Sequence, residues 1–254
     1  MRKIALLIEY DGTDFLGFQL QGQGRTVQGE LERAIEEVTG TRSRVAGASR
    51  TDSGVHAEGQ VVSFRTESRL PPETLLRALN FYLAEDVAVK AAREIDEDFD
   101  VRRRAVSREY AYTLAVGPGR TALHRRDAYW VAQSLDLKAM NGAAAELIGG
   151  KDISSFTLAG ESGRSGRRRV YRAELERRHG DLIDFVIEAS SFRKQQIRLM
   201  VGTLLEVGRG KRSVEDFAAI VAAAEPGLAG PAAPARGLCL RRVNYREPLF
   251  ATGD

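Results

Sequence analysis

Apolar and polar positions along the chain follow two periods, which separate predicted strands from predicted helices. Residues 3–10 place Ile4, Leu6 and Ile8 on one face of an extended chain, as the two-residue period of a β-strand does. Between residues 27 and 38 the apolar positions recur every three to four residues and form one helical stripe. Thr26 is placed to cap this helix and Gly40 to end it, so we expect the chain to open with a strand and a helix.

The same patterns assign the remaining elements. In the first half, Pro71-Pro72 opens a second helix, and strands are predicted over residues 44–49, 59–65 and 86–95. In the second half, strands are predicted over residues 108–116, 168–176, 182–188 and 238–245, and helices over residues 137–148, 191–207 and 213–224. Gly149-Gly150 would end the first of these helices, and Ser213 with Asp216 forms a capping-box pattern at the last.

The order of the elements predicts the fold class. Each half runs strand, helix, strand, strand, helix, strand, with one additional helix in the second half. This order is typical of α+β proteins, and we interpret it as two tandem ferredoxin-like or RRM-like βαββαβ halves with mainly antiparallel sheets flanking a central cleft. We place the N-terminal domain at residues 1–105 and the C-terminal domain, which would complete the cleft, at residues 106–254.

Composition and charge narrow the class of protein. With 43% hydrophobic and 29% charged residues the chain is typical of a globular protein, and no apolar run is long enough to cross a membrane. We therefore expect a cytoplasmic protein. The net charge is only +3, but basic residues cluster at positions 102–104, at Arg164 with 167–169, at 193–194 and at 209–212. Such clusters favour binding to nucleic acid, although solvated loops would look the same.

Several common catalytic and cofactor motifs are absent. The chain has no CxxC, HExxH or GxSxG, and its three histidines and single cysteine do not predict a zinc site or a disulfide. Residues 208–212 resemble a phosphate loop only faintly, because Leu205 stands where that pattern needs glycine and Arg212 where it needs serine or threonine. The sequence therefore predicts no cofactor and no metal, and we expect Cys239 to be a core residue.

A polar loop between two predicted strands carries the strongest chemical signal. It reads Gly47-Ala48-Ser49-Arg50-Thr51-Asp52-Ser53-Gly54-Val55-His56-Ala57. A carboxylate such as Asp52 can act as a nucleophile or a base, and Arg50 can bind phosphate or stack in place of a displaced base. An aspartate in such a loop also commonly closes a turn or caps a helix. The spacing alone leaves both roles open for Asp52.

Longer blocks of the sequence resemble the tRNA pseudouridine synthase A family. The family signature Arg-Thr-Asp-x-Gly-Val-His-Ala is matched without a break from Arg50 to Ala57. Other matching blocks stand in the family's order at residues 10–19, Thr26-Val27-Gln28-Gly29, Arg108-Glu109-Tyr110-Ala111-Tyr112, 192–208 and 234–238. Three positions depart from the family pattern, namely Phe18 in place of tryptophan, Ser49 in place of glycine and Arg193 in place of an apolar residue.

The resemblance implies an isomerase that converts uridine to pseudouridine at positions 38, 39 and 40 in the anticodon stem and loop of tRNA, without a cofactor. It makes Asp52 the catalytic nucleophile or base, and it implies that Arg198 lies nearby and favours the ionised carboxylate. Tyr110 would stack on the flipped uracil, and Arg50 would fill the vacated space or hold a phosphate. The phosphate backbone of the RNA would be bound by six basic residues, namely Arg102, Arg103, Arg167, Arg168, Arg209 and Lys211. Family members act as homodimers, so we expect a dimer on the anticodon arm.

Other interpretations stay open from the sequence. Tandem RRM-like halves would also suit a non-catalytic RNA-binding protein, although RNP1-type aromatic signatures are missing. A glycosidase-like hydrolase would normally need a second placed carboxylate and would release free uracil. Tyr110 would be a core residue if its strand is buried on that face. We expect structural roles for His56, Asp11 and Asp14, with the two aspartates shaping the turn after the first strand.

Overall fold

The computed structural model describes residues 1–160 and 166–250. The basic residue Arg164 lies outside the described residues. The chain divides into two compact units, of which the first is Met1–Arg108 with Leu240–Asp254 and the second is Glu109–Cys239. The predicted domain bounds, 1–105 and 106–254, differ from these units chiefly at the C terminus, because the last strand lies beside a strand of the first unit.

The first unit contains two α-helices and one part of the ten-stranded sheet. Its elements are β1 (Arg2–Tyr10), a short 3-10 helix (Gly12–Asp14), α1 (Val27–Thr39), β2 (Ala46–Gly47), β3 (His56–Thr66), α2 (Pro72–Tyr82) and β4 (Val87–Ile95). The sheet order is β4-β1-β3-β10, in which most of β10 (Leu238–Asn244) belongs to this unit, and the two-residue β2 pairs with β3. Strand β1 is antiparallel to both β3 and β4 and therefore lies inside the sheet.

The ends of the first strand and helix follow the sequence pattern closely. Ile4, Leu6 and Ile8 of β1 are fully buried, as their alternation predicts. The Thr26 side chain accepts a hydrogen bond from the Gly29 backbone N–H at 3.2 Å, and the cap of α1 is confirmed. Gly40 ends the helix in the left-handed conformation with φ 69°, which glycine adopts without a Cβ clash.

The second unit contains more elements than the first. These are most of β5 (Ser107–Val116), β6 (Tyr129–Val131), α3 (Leu137–Ala145), β7 (Gly149–Asp152), β8 (Arg167–Arg177), β9 (Leu182–Ala189), α4 (Gln196–Gly208) and α5 (Val214–Ala223). The sheet order is β5-β9-β8-β7, with β6 parallel to β5 and the β7–β8 and β8–β9 pairs antiparallel. The predicted capping box at the start of α5 is confirmed, because Ser213 and Asp216 exchange side-chain and backbone hydrogen bonds.

Several predicted bounds are wrong. The strand predicted over residues 44–49 shrinks to Ala46–Gly47, and the helix predicted over residues 137–148 ends at Ala145. Gly149 then opens β7, which lacks any apolar pattern and is held by backbone pairing to β8. The helix predicted to start at residue 191 starts at Gln196, because the residue before it takes a left-handed conformation. The predicted core residue Cys239 is partly exposed on β10.

The α+β class with a mostly antiparallel sheet is confirmed within each unit. No helix among the described residues is both long and apolar enough to span a bilayer. The elements that carry or support the predicted site residues are β1, β3 and the loop that precedes β3 in the first unit, and β5 and α4 in the second.

Candidate active site

Residues 48–54, here called the acid loop, lie between β2 and β3 in the first unit. Asp52 is half-buried, and its carbonyl accepts a hydrogen bond from the Val55 N–H at 3.1 Å, so the residue does lie in a turn. Arg50 is exposed, and its side chain has no hydrogen bond or ion pair with any described residue. The loop therefore presents a cation to solvent two residues before a partly covered carboxylate.

Residues 10–18 support both sides of Asp52. The Tyr10 hydroxyl is hydrogen-bonded to Thr51 Oγ1 at 2.8 Å, and the Phe18 N–H donates to the Thr51 carbonyl at 3.1 Å. On the other side, the Phe15 carbonyl accepts from Ser53 Oγ at 3.1 Å and from the Gly54 N–H at 3.3 Å. The backbone immediately before and after the carboxylate is thus fixed by one contiguous segment.

Two buried side chains hold the start of the acid loop. Gln60 on β3 is fully buried, and its amide both accepts from the Ser49 N–H at 3.2 Å and donates to the Ser49 carbonyl at 2.7 Å. Arg108 is 7% exposed and donates to the carbonyls of Ala48 at 2.9 Å and Arg102 at 2.7 Å. Because a buried polar group without a partner is costly, these contacts oppose displacement of the loop.

The other titratable groups near the loop have structural contacts. Nδ1 of His56 accepts a hydrogen bond from the Gly12 N–H at 3.0 Å in a buried position. The Asp11 carboxylate accepts from the Thr13 N–H at 3.0 Å and caps the short 3-10 helix, whereas Asp14 is exposed in that helix. Among residues 1–160 and 166–250, no group of three or more His, Cys, Asp or Glu side chains is arranged to hold a metal ion.

Arg198 is a half-buried residue of the first turn of α4 in the second unit. Its Nε donates to the Ala233 carbonyl at 2.7 Å, and the Ala233 N–H donates back to the Arg198 carbonyl at 2.9 Å. In the described part of the chain its two terminal nitrogens have no hydrogen-bond partner. The guanidinium is therefore anchored at one edge and keeps its other donors for a ligand.

Tyr110 on β5 is buried, with 5% of its surface exposed. Its ring packs edge-to-face on Phe192, with the ring centroids 5.5 Å apart. Two residues along the strand, Tyr112 is fully buried and donates to the Pro234 carbonyl at 2.7 Å, and burial raises the pKa of its phenol. Stacking of a base on Tyr110 would require a ring face that packing covers in this structure.

The predicted RNA-binding residues differ in how accessible they are. Arg102, Arg103, Arg167 and Lys211 are exposed, whereas Arg168 and Arg209 are half-buried. The pKa of Arg168 is lowered by burial and then by the charge of Arg193. The Arg209 Nε is buried and has no hydrogen-bond partner among the described residues. The exposed members are therefore the ones that can meet a phosphate without rearrangement.

The turn that carries Arg102 and Arg103 is held by an aspartate. Their backbone N–H groups donate to Asp100 Oδ1 at 2.9 and 3.0 Å. The hydrogen bond from Arg103 is the main reason that the pKa of Asp100 lies below its ordinary value. The Arg103 Nε also lies 3.7 Å from the Asp100 carboxylate, so part of the positive charge of this cluster is balanced locally.

The supports of the acid loop were not predicted as functional residues. Tyr10 and Arg108 stand inside family-like blocks, which is the one sequence signal that marks them. Gln60 stands in an apolar strand, and a polar residue at a fully buried position is itself a signal of a required hydrogen bond. Of the predicted catalytic residues, the structure places Asp52 and Arg50 in the first unit, and Tyr110 and Arg198 in the second.

Comparison with known proteins identifies the family. A family model described as tRNA pseudouridine synthase matches residues 6–102 and 143–246, which include the acid loop and α4 but not Tyr110. The tRNA pseudouridine synthase A of Thermus thermophilus is 44% identical over 251 residues, which cover 97% of this chain and 98% of that protein. The proteins of the same name from Geobacillus kaustophilus and Shouchella clausii are 42% and 40% identical, covering 97% and 98% of this chain and 95% and 96% of their own. The chain belongs to the tRNA pseudouridine synthase family.

Proposed function

We propose that this chain isomerises uridine to pseudouridine at positions 38, 39 and 40 in the anticodon stem and loop of tRNA. Its family consists of isomerases. The observation that carries the proposal is that the family signature forms a loop in which Asp52 is half-buried and its neighbours are fixed on both sides. A carboxylate whose neighbouring residues are fixed, close to an exposed arginine, suits a reaction on a nucleotide delivered from solvent.

The reaction rearranges bonds within one nucleotide. The C1′–N1 glycosidic bond breaks, the uracil turns, and a C1′–C5 bond forms, while C5 loses a proton and N1 gains one. No atoms are added from another reactant. Asp52 acts either as a nucleophile on the nucleoside or as a base on the sugar, and in both roles it reacts as the carboxylate.

The other catalytic residues take roles that suit their surroundings. Arg50 has no partner among the described residues, so it is available to fill the space of the flipped base or to hold a phosphate. Arg198 keeps two terminal nitrogens for the reacting carboxylate or the substrate. Tyr110 stacks on the flipped uracil, which requires that binding of the RNA uncovers one face of its ring.

The tRNA is held mainly through its backbone. The exposed residues Arg102, Arg103, Arg167 and Lys211 contact phosphates of the anticodon arm, and Arg168 and Arg209 reinforce them. We propose that the enzyme works in the cytoplasm as a homodimer, so that one tRNA reaches both subunits. We also propose that each unit is a ferredoxin-like half. In the first unit, this is supported by the order β4-β1-β3 and the pairing of β2 with β3.

Tritium release tests the proposed function directly. The protein is incubated with a tRNA transcript that carries tritium at uridine C5, and the radioactivity that enters water is followed. Isomerisation replaces the C5 hydrogen, so wild type should release tritium from a transcript with uridine at positions 38–40 and none from one with cytidine there. A protein that only binds RNA releases none, and a hydrolase leaves the tritium on free uracil.

The Asp52→Asn variant tests the assignment of the carboxylate. We expect it to bind tRNA like wild type and to release tritium more than about 10⁴-fold more slowly, because the amide can serve neither as nucleophile nor as base. Binding is measured by filter retention and turnover with enzyme in excess. Release at the wild-type rate would show that another group performs the chemistry.

A further inference from the structure

Tyr10 reaches the acid loop from a strand that is fixed on both sides. It is the last residue of β1 and pairs with Ala57 of β3 and Val87 of β4. Its side chain is 4% exposed, and its hydroxyl lies 2.8 Å from Oγ1 of Thr51, which is 7% exposed. The hydrogen bond therefore joins the rigid sheet to the residue directly before Asp52.

The ring of Tyr10 also supports the other side of Asp52. It packs edge-to-face on Phe15, with the ring centroids 6.5 Å apart and the planes at 65°. The Phe15 carbonyl accepts the hydrogen bonds from Ser53 and Gly54, and the Phe15 ring is held from outside by the Arg25 guanidinium, 4.3 Å from its centroid. One tyrosine thus contacts Thr51 directly and braces the segment that fixes the residues after Asp52.

The hydrogen bond between the Tyr10 hydroxyl and Thr51 affects the orientation of Thr51 more than the course of the loop backbone. The Thr51 carbonyl is already held by the Phe18 N–H, and Ser49 is held by Gln60, so the loop keeps its backbone contacts without the hydroxyl. Either hydroxyl can be the donor of this hydrogen bond, and a buried threonine that loses its partner must turn its hydroxyl towards another donor or acceptor, because leaving it unsatisfied is costly. A small rotation at Thr51 moves the next residue, and a misplacement of about 1 Å can cost about 100-fold in rate.

We infer that Tyr10 is a positioning residue for the proposed isomerisation: its hydroxyl holds Thr51, and Thr51 sets the orientation of the Asp52 carboxylate towards the nucleotide. The inference rests on the proposed function. Tyr10 itself takes no part in bond making, so its removal changes the rate of the chemical step and leaves binding of tRNA intact.

Conservative variants test this assignment. Tyr10→Phe removes only the hydroxyl and should lower kcat for tritium release about 10- to 100-fold, with KM for tRNA within about twofold of wild type. Thr51→Val should have a similar effect, whereas Thr51→Ser keeps a hydroxyl and should keep most of the activity. Because both changes break one contact, the double variant Tyr10→Phe with Thr51→Val should lose no more activity than either single variant.

Thr39→Val is the control matched to Thr51→Val. Thr39 is the last residue of α1 in the same unit, and its Oγ1 donates a hydrogen bond to the Ile35 carbonyl at 2.8 Å, so this variant loses a threonine hydroxyl outside the acid loop and should keep full activity. Wild type without tritium release would overturn the proposed function and the inference together. Active wild type with an equally active Tyr10→Phe variant would overturn the inference alone, as would multiplicative losses in the double variant.

Discussion

The acid loop of the first unit and the Arg198 segment of the second are held in place differently. Around Asp52, hydrogen bonds fix the neighbouring residues Thr51 and Ser53, and the support comes from a separate segment. Arg198 is fixed through its own side chain, whose Nε binds the Ala233 carbonyl. These contacts fix Asp52 through its neighbours, whereas the position and the charge of Arg198 reside in one group.

Both regions rely on a glycine at a close approach of two chain segments. A Cβ on Gly17, which has φ 100°, would lie 2.8 Å from the Thr51 carbonyl oxygen. A Cβ on Gly202, one turn after Arg198, would lie 1.7 Å from the carbonyl oxygen of Pro231, two residues before Ala233. The glycines thus allow the supporting segment to touch each site.

Among the variants that test this comparison, the largest effect is expected from Arg198→Lys, because a lysine ammonium cannot bind the Ala233 carbonyl and also present a planar pair of donors. We expect kcat/KM for tritium release to fall about 100-fold, as for loss of one preorganised donor. Arg172→Lys is the control, since Arg172 on β8 pairs with Glu174 and Glu176 and has no proposed role. Equal activity of the two variants would contradict the view that Arg198 needs one guanidinium group both to bind the Ala233 carbonyl and to present its positive charge.

Replacing Gly202 or Gly17 with alanine should show whether each glycine affects the stability of the protein, its turnover, or both. We expect Gly202→Ala to lower the free energy of unfolding by about 1–3 kcal/mol, because its Cβ has no space beside Pro231. Gly17→Ala should lower it by about 1–3 kcal/mol through strain and should also slow turnover, because Thr51 must shift. Urea unfolding and tritium release measure both quantities.

Gly142→Ala is the control for these glycine variants. Gly142 lies within α3, where a Cβ would make only ordinary contacts of 3.7 Å with Val214. We expect this variant to be as stable as wild type or more stable, since alanine favours helix over glycine. A Gly17→Ala variant with unchanged turnover per folded molecule would show that the acid loop tolerates displacement of its support.

The smallest effect is expected at Asp100, which holds the exposed turn of Arg102 and Arg103. Its pKa is lowered in the folded protein, so its carboxylate stabilises the fold above the unfolded pKa of about 3.9, and this stabilisation is lost as the pH falls through the folded pKa. Asp100→Asn should lower Tm at pH 7 by about 1–2 °C. Calorimetry should show this difference shrinking towards zero below about pH 4, and a difference independent of pH would contradict the assignment.

The sequence by itself determined most elements and the candidate chemistry. The alternation of β1, the stripe and caps of α1 and the capping box of α5 are local patterns, and each is present in the structure. The ordered family blocks marked Asp52, Tyr110 and Arg198, although periodicity alone left Asp52 as a possible turn residue. These features are readable because a half-buried element must repeat its apolar positions with its own period.

Only the tertiary structure decided how the site is supported. The Tyr10–Thr51 hydrogen bond joins residues 41 positions apart, and the partner of Arg198 lies 35 positions away. The start of α4 at Gln196 also involves a long-range contact. The buried Gln196 side chain donates a hydrogen bond to the Ile153 carbonyl, 43 positions away, and it accepts a local one from the Arg193 N–H. Local periodicity predicts which face of an element is buried, but it does not predict which distant residue packs against that face. That contact is determined only by the tertiary fold, which brings residues far apart in the sequence together.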